Sequence, residues 1–160
     1  MRFCHNQTVR VLAIDLGRKR IGLALSDPSA TLASPWRTLQ RDPSDRQTVA
    51  GLAGIVAALV ADPDGLAAVV VGLPMRLDGT PTPQTADVLQ LVEGLGPRVT
   101  VPLVLQDERL TSVEAESRLA LNERDWRRRK ERLDAAAAAV ILQDYLDHRA
   151  AQAGAATYED

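Results

Sequence analysis

Three segments carry acidic residues where an ordinary soluble fold has little use for a charge. Asp15 closes the apolar run Val9 to Asp15, VRVLAID, which reads as a strand buried on both faces. A lone carboxylate there costs several kcal/mol unless something neutralises it. A salt bridge to Lys19 or Arg20, or an Asx-turn over Asp15-Leu16-Gly17, is the plain answer. A metal ligand or catalytic carboxylate at the sheet's edge is the sharper one. Asp107 and Glu108 directly follow a second apolar run, Val99 to Gln106, and precede Arg109. They are either a solvated turn or a pair of acids delivered where the chain leaves the sheet, with Arg109 as a partner. Asp134 opens a helical stripe with Ala138, Ile141 and Tyr145, at i+4, i+7 and i+11. The helix macrodipole favours an acid in a first turn, but mainly on exposed faces. The alanine run Ala135 to Ala139 instead lets this face approach a sheet closely.

Gathered on one side of a sheet, such carboxylates repel and raise each other's pKa unless a cation sits among them. Oxygen donors without a histidine or cysteine cluster favour magnesium or manganese over zinc. These ions serve phosphate chemistry, where a pair about 3.5–4 Å apart can stabilise both the attacking and the leaving oxygen.

The elements that must position these residues follow from periodicity. Arg20 to Ser26 alternates as the hairpin partner of the first strand across the turn Leu16 to Lys19, and a third strand lies within Ala30 to Gln40, interrupted by Pro35. Asp45 to Ala61 carries apolar residues at helical spacing and ends at Asp62-Pro63-Asp64-Gly65. Leu66 to Gly72 is a buried strand. Thr82 caps a helix with Pro83 in its first turn that runs to Leu95 and stops at Gly96-Pro97. After the strand Val99 to Gln106, Thr111 and Glu114 form a capping box for a helix to about Leu121, and Leu133 to His148 is the final helix. The fold class is α/β: a mixed five-stranded sheet with helices on both faces, in one domain over 9–149, with 1–8 and 150–160 as flexible tails. Sites in such sheets lie at the carboxyl ends of the parallel strands.

Composition narrows the function. The chain has 160 residues, 46% of them hydrophobic and 25% charged, enough for one real core. A net charge of -2 provides no whole-molecule attraction for nucleic acid, so any attraction is local. Arg118 to Arg132 is such a place, with seven basic and three acidic residues, and RDWRRRKER (Arg124 to Arg132) sets Arg124, Arg127, Arg128, Arg129 and Lys130 around Trp126. A solvated face is the alternative. Cys4, the lone cysteine, excludes an internal disulfide and a thiolate zinc site. No apolar run nears the 18 residues of a membrane span and Met1 to Thr8 lacks a signal's apolar region, so a cytoplasmic protein away from membranes is expected.

Four motifs, in order, resemble one family. Asp15-Leu16-Gly17-Arg18-Lys19-Arg20-Ile21-Gly22-Leu23-Ala24, then Gly72-Leu73-Pro74 with Gly79, then Asp107-Glu108-Arg109-Leu110-Thr111-Ser112, then Asp134 with Ala136, Ala137 and Ile141-Leu142 are similar to the YqgF family, also called RuvX. Its members are described as Holliday junction resolvase-like proteins and as pre-16S rRNA nucleases. The resemblance extends over Val9 to about Leu146. It implies a ribonuclease H-like fold and phosphodiester hydrolysis assisted by Mg2+ or Mn2+, acting on the precursor of small-subunit ribosomal RNA in pre-ribosomal particles. By motif, Asp15, Glu108 and Asp134 become the catalytic and metal-binding carboxylates, with Asp107 as a further candidate ligand. The strand Leu66 to Gly72 departs from better-known ribonuclease H relatives, which often carry an acid there; the acidic pair arrives one strand later. Lys19, Arg20 and Arg109 join the basic cluster as candidate nucleic-acid contacts, and Gly72, Pro74 and Gly79 would let a backbone approach.

Two other readings stay open. Branched-DNA resolution is permitted by the same fold, and a non-enzymatic RNA-binding or transcription-associated module would give the acids structural work. An actin-like ATPase lacks the length for a second lobe. A monomer or a homodimer is expected.

Overall fold

The computed structural model describes residues 9–107 and 126–156, with side chains in the last helix described from 133 to 153. Its strands are β1 (Arg10–Leu16), β2 (Arg20–Ser26), β3 (Ala33–Gln40), β4 (Leu66–Leu73) and β5 (Leu103–Asp107). Its helices are α1 (Asp45–Ala61), α2 (Pro83–Leu95) and α3 (Trp126–Ala156). The sheet order is β3-β2-β1-β4-β5. The hairpin and meander make β1–β2 and β2–β3 antiparallel, while the crossovers through α1 and α2 make β1–β4 and β4–β5 parallel. The mixed sheet expected from the sequence is therefore present. Strand β3 is an edge with no fully buried residue, which is why it tolerates Pro35.

Alternation along the strands divides the core into two clusters. Leu12, Ile14, Leu16, Ile21, Leu23, Val69 and Val71 pack with α1 and α2 through Leu52, Val56, Val88, Leu91 and Leu95. Val11, Ala13, Ala24, Ala68 and Val70 face α3, meeting Ala138, Ile141, Leu142 and Leu146. The second face is the smaller-chained one, and small residues on both sides let helix and sheet approach. Among the described residues no helix is long and apolar enough to cross a membrane.

The larger boundary differences from the sequence reading fall at β5 and α3. Strand β5 begins at Leu103 rather than Val99: Gly96–Arg98 is a 3-10 turn, and Pro102 has no N–H for a ladder, its carbonyl instead accepting from Val69 N at 3.0 Å. Asp107 is the last residue of β5 rather than the first beyond it. Helix α3 runs from Trp126 to Ala156, overtaking both the Leu133 start and the tail expected from 150. The alanine-rich end Ala150 to Ala156 has high intrinsic helix propensity and continues a helix already nucleated upstream. The helix expected from Thr111 to Leu121 and the tail 1–8 lie outside the described residues.

At the amino-terminal end of β1, Asp27 organises the turn from β2 to β3. Its Oδ1 accepts from Leu32 N and Thr31 N, each at 2.9 Å, and its Oδ2 accepts from the Ser29 hydroxyl. The Leu32 amide above all, then Ser29 and Thr31, hold this carboxyl down to about 2. The unfolded chain, with an aspartate near 3.9, takes up this proton first. The stabilisation is thus whole above pH ~4 and is lost as pH falls through ~2. Thermal unfolding of wild type and Asp27→Asn should show an advantage for wild type at pH 6 that shrinks between pH 4 and pH 2; a pH-independent gap would contradict this role.

Candidate active site

At one rim of the sheet β1 turns into β2. Gly17 N donates to Arg20 O at 2.8 Å, leaving Arg18 and Lys19 as the exposed tip. A Cβ on Gly17 would lie 2.6 Å from Arg20 O, so only glycine closes this turn. The antiparallel register pairs Asp15 with Gly22, and Arg20 with Gln40 of β3. Asp15 shares its strand face with Val11 and Ala13, the face covered by α3. Its carboxylate therefore sits half-buried on the α3 side at the carboxyl end of β1.

Helix α3 delivers the second acid to that side. A Cβ on Gly22 would lie 1.9 Å from the carbonyl oxygen of Asp134 and 2.9 Å from Ala135 N. The helix backbone thus rests directly on β2 at the residue paired with Asp15. Arg20 Nε donates to Asp134 Oδ2 at 2.8 Å, with the two side chains 25% and 28% exposed. Asp134 lies about two turns inside α3 rather than in its first turn. That removes the macrodipole explanation, which acts only within the first turn.

Asp107 does not join this pair. It is level with Leu73, and residues paired in a parallel ladder point to the same face; Val69, Val71 and Leu73 all pack toward α1 and α2. Gln106, paired with Gly72, holds the α3-facing position instead. Glu108, Arg109 and Arg124 lie outside the described residues, as do the side chains of Arg127, Arg128, Arg129 and Lys130. Among the described residues no three of His, Cys, Asp or Glu stand as a metal-holding group. The described donor set is two carboxylates, with Arg20 bonded to Asp134. Oxygen donors alone suit a hard cation such as Mg2+ or Mn2+.

Residues that the sequence reading passed over hold this rim together. Arg41, just past β3, donates through Nη1 to Gly17 O at 3.1 Å and through Nη2 to Asp45 Oδ1 at 3.2 Å, and it lies 3.7 Å from Asp87 Oδ2 of α2. Its amide also donates to Lys19 O at 2.9 Å. One arginine thereby ties the hairpin tip to both helices of the opposite face. The Thr85 hydroxyl donates to Pro74 O, anchoring the start of the loop after β4 to α2. Within that loop Gly79 adopts φ 86, so its role is turn geometry. Arg18, Lys19, Gln40, Arg41, Asp42, Pro43 and Asp45 line an open concavity of about 430 Å³ beside the hairpin. No motif marks Arg41, because a single arginine after a strand looks like any loop residue.

The chain is similar to known proteins over most of its length. A family model described as "RuvX: Holliday junction resolvase" matches residues 9–148. A protein of Roseiflexus sp. named "Putative pre-16S rRNA nuclease" is 41% identical over 138 residues, 86% of this chain and 94% of that protein. One of the same name from Anaeromyxobacter dehalogenans is 43% identical over 146 residues, 89% of this chain and 99% of its own length. Among solved structures, T. thermophilus RuvC in complex with Holliday junction substrate is similar with a TM-score of 0.50 at 15% identity, over 83% of this chain and 91% of that one. That likeness shows the fold, which is ribonuclease H-like.

The contact at Gly22 is directly testable. Gly22→Ala should cost about 3 kcal/mol in denaturant unfolding, because a methyl group against backbone carbonyl has no flexible neighbour to displace. Gly51→Ala, where a Cβ meets nothing within 4 Å, is the control and should be neutral or stabilising. Equal effects of the two substitutions would refute the close approach.

Proposed function

The chain belongs to the RuvX family, and from that membership we propose that it is a nuclease dependent on Mg2+ or Mn2+ that hydrolyses RNA phosphodiester bonds in the precursor of 16S ribosomal RNA. The observation that carries the proposal is the convergence of Asp15 and Asp134 on one face of the sheet, at the carboxyl end of β1, through the Gly22 contact. A chain built only to bind RNA has no use for two carboxylates side by side at its substrate edge, where they would repel phosphate.

Asp15 and Asp134 would hold the cation, with Glu108 as the third carboxylate by motif. Asp107 is the weaker candidate, given its register on the other face. When bound, such an ion neutralises charge developing on the scissile phosphate and makes an attacking water more acidic. The protein's own groups do the remaining work. Asp15 and Asp134 are fixed on a strand and a helix rather than on loops, so their separation varies little. Lys19 at the exposed tip and Arg20 beside Asp134 can meet the phosphates flanking the cut. The basic run from Arg124 to Lys130, with Arg109, would extend that path. A single cysteine, Cys4, fits work in a reducing compartment such as the cytoplasm.

Branched DNA is the second substrate reading, favoured by the description of the matching family model. One assay separates the two. The full chain is given precursor 16S RNA and a four-way DNA junction side by side, with Mg2+, with Mn2+ and with chelator. We expect cleavage of the RNA that chelator abolishes and that Asp15→Asn lowers at least about a hundredfold with folding intact. Faster cutting of the junction would move the substrate to DNA, and activity surviving both chelator and Asp15→Asn would overturn the site.

A further inference from the structure

Arg20 already holds one of the two carboxylates of the proposed metal position. It begins β2 and bonds Asp134 across 114 residues of sequence with Nε, one of the five donors a guanidinium carries. The pair is partly exposed on both sides, and such ion pairs are weak, worth at most about a fivefold change in an equilibrium. A doubly charged ion held by Asp15 and Asp134 would outbid a single guanidinium for the same oxygen.

Carboxylates at this rim repel a phosphodiester, and a divalent ion held by them would lessen that repulsion. A guanidinium released from Asp134 then finds a partner in the incoming phosphate, whose geometry it matches.

We propose that Arg20 is an exchangeable stand-in for the cation: without metal its guanidinium neutralises Asp134, and divalent-ion binding displaces it toward the substrate phosphate. This rests on the nuclease reading above and deepens it. Arg20 is then a positioning residue with two partners in turn, rather than a fixed clasp that orients Asp134. It also explains why the hairpin needs both a cationic first residue in β2 and a glycine two positions later. Gly22 brings Asp134 within reach of Arg20, and Arg20 keeps it neutralised until metal arrives.

The two roles give opposite signs for metal affinity. Mn2+ binding is measured by calorimetry on the full chain, for wild type, Arg20→Met and Arg20→Lys, with thermal unfolding as the folding control. Displacement requires Arg20→Met to bind Mn2+ about three- to fivefold tighter than wild type, the gain expected when a partly exposed pair no longer competes. Its affinity for RNA in Mg2+ buffer should fall at the same time, with Arg20→Lys between. Weaker or unchanged Mn2+ binding by Arg20→Met would overturn the exchange and leave a fixed clasp. In wild type, where no variant needs to fold, the Arg20 Nε–H resonance should leave its bonded position as Mg2+ is titrated; a resonance that stays put at saturation also overturns the exchange. Absence of saturable Mn2+ binding by both wild type and Arg20→Met would instead remove the metal site itself, and this inference with it.

Discussion

The contact between the α3 backbone and Gly22 of β2 is the constraint on which the arrangement of this site depends. Helices usually stand off a sheet by the depth of their side chains. Here a carbonyl oxygen lies where a β-carbon would be. The approach is possible because α3 presents Ala135, Ala137 and Ala138 and the sheet answers with Ala13, Ala24 and Ala68. Because Gly22 is the register partner of Asp15, the same contact that seats the helix also sets Asp134 next to Asp15. Packing and chemistry are decided at one residue.

Bringing two carboxylates together on a half-buried face creates an electrostatic debt that some cation must settle. Arg20 neutralises Asp134. A divalent ion is the chemically stronger solution, and among the described residues the pair offers oxygen donors alone, which restricts which ions suit it. The rim is stiffened from the other side of the sheet by Arg41, which joins the hairpin tip to α1 and α2. The site thus stands between two arginines with different work. Arg41 braces the turn that follows Asp15, and Arg20 answers the charge of Asp134.

Much of this was legible before any coordinates. The alternation in RIGLALS and the β-branched runs marked the strands, and Asp62-Pro63-Asp64-Gly65 marked the end of α1, because such patterns report on neighbours a few residues away. Asp15 and Asp134 were visible as charges placed against apolar patterns. What stayed hidden depends on distant partners. The Arg20–Asp134 pair joins segments 114 residues apart, and Arg41 serves three elements at once; neither leaves a periodic trace. Asp107, a further candidate ligand by motif, shares the face of Leu73, toward α1 and α2. Strand β5 ends one residue later than its apolar run suggested, and in a strand each successive residue points to the opposite side. The start of α3 was missed because its first turns are basic rather than amphipathic, so periodicity carried no signal there.

The central claim is that Asp15 and Asp134 share one divalent ion. The most direct measurement is a crystal structure of the full chain soaked in Mn2+, read by anomalous scattering. A peak between the two carboxylates, with Arg20 withdrawn from Asp134, is the result expected. Manganese bound elsewhere, or a lattice that takes up none while Arg20 keeps its bond to Asp134, would contradict it.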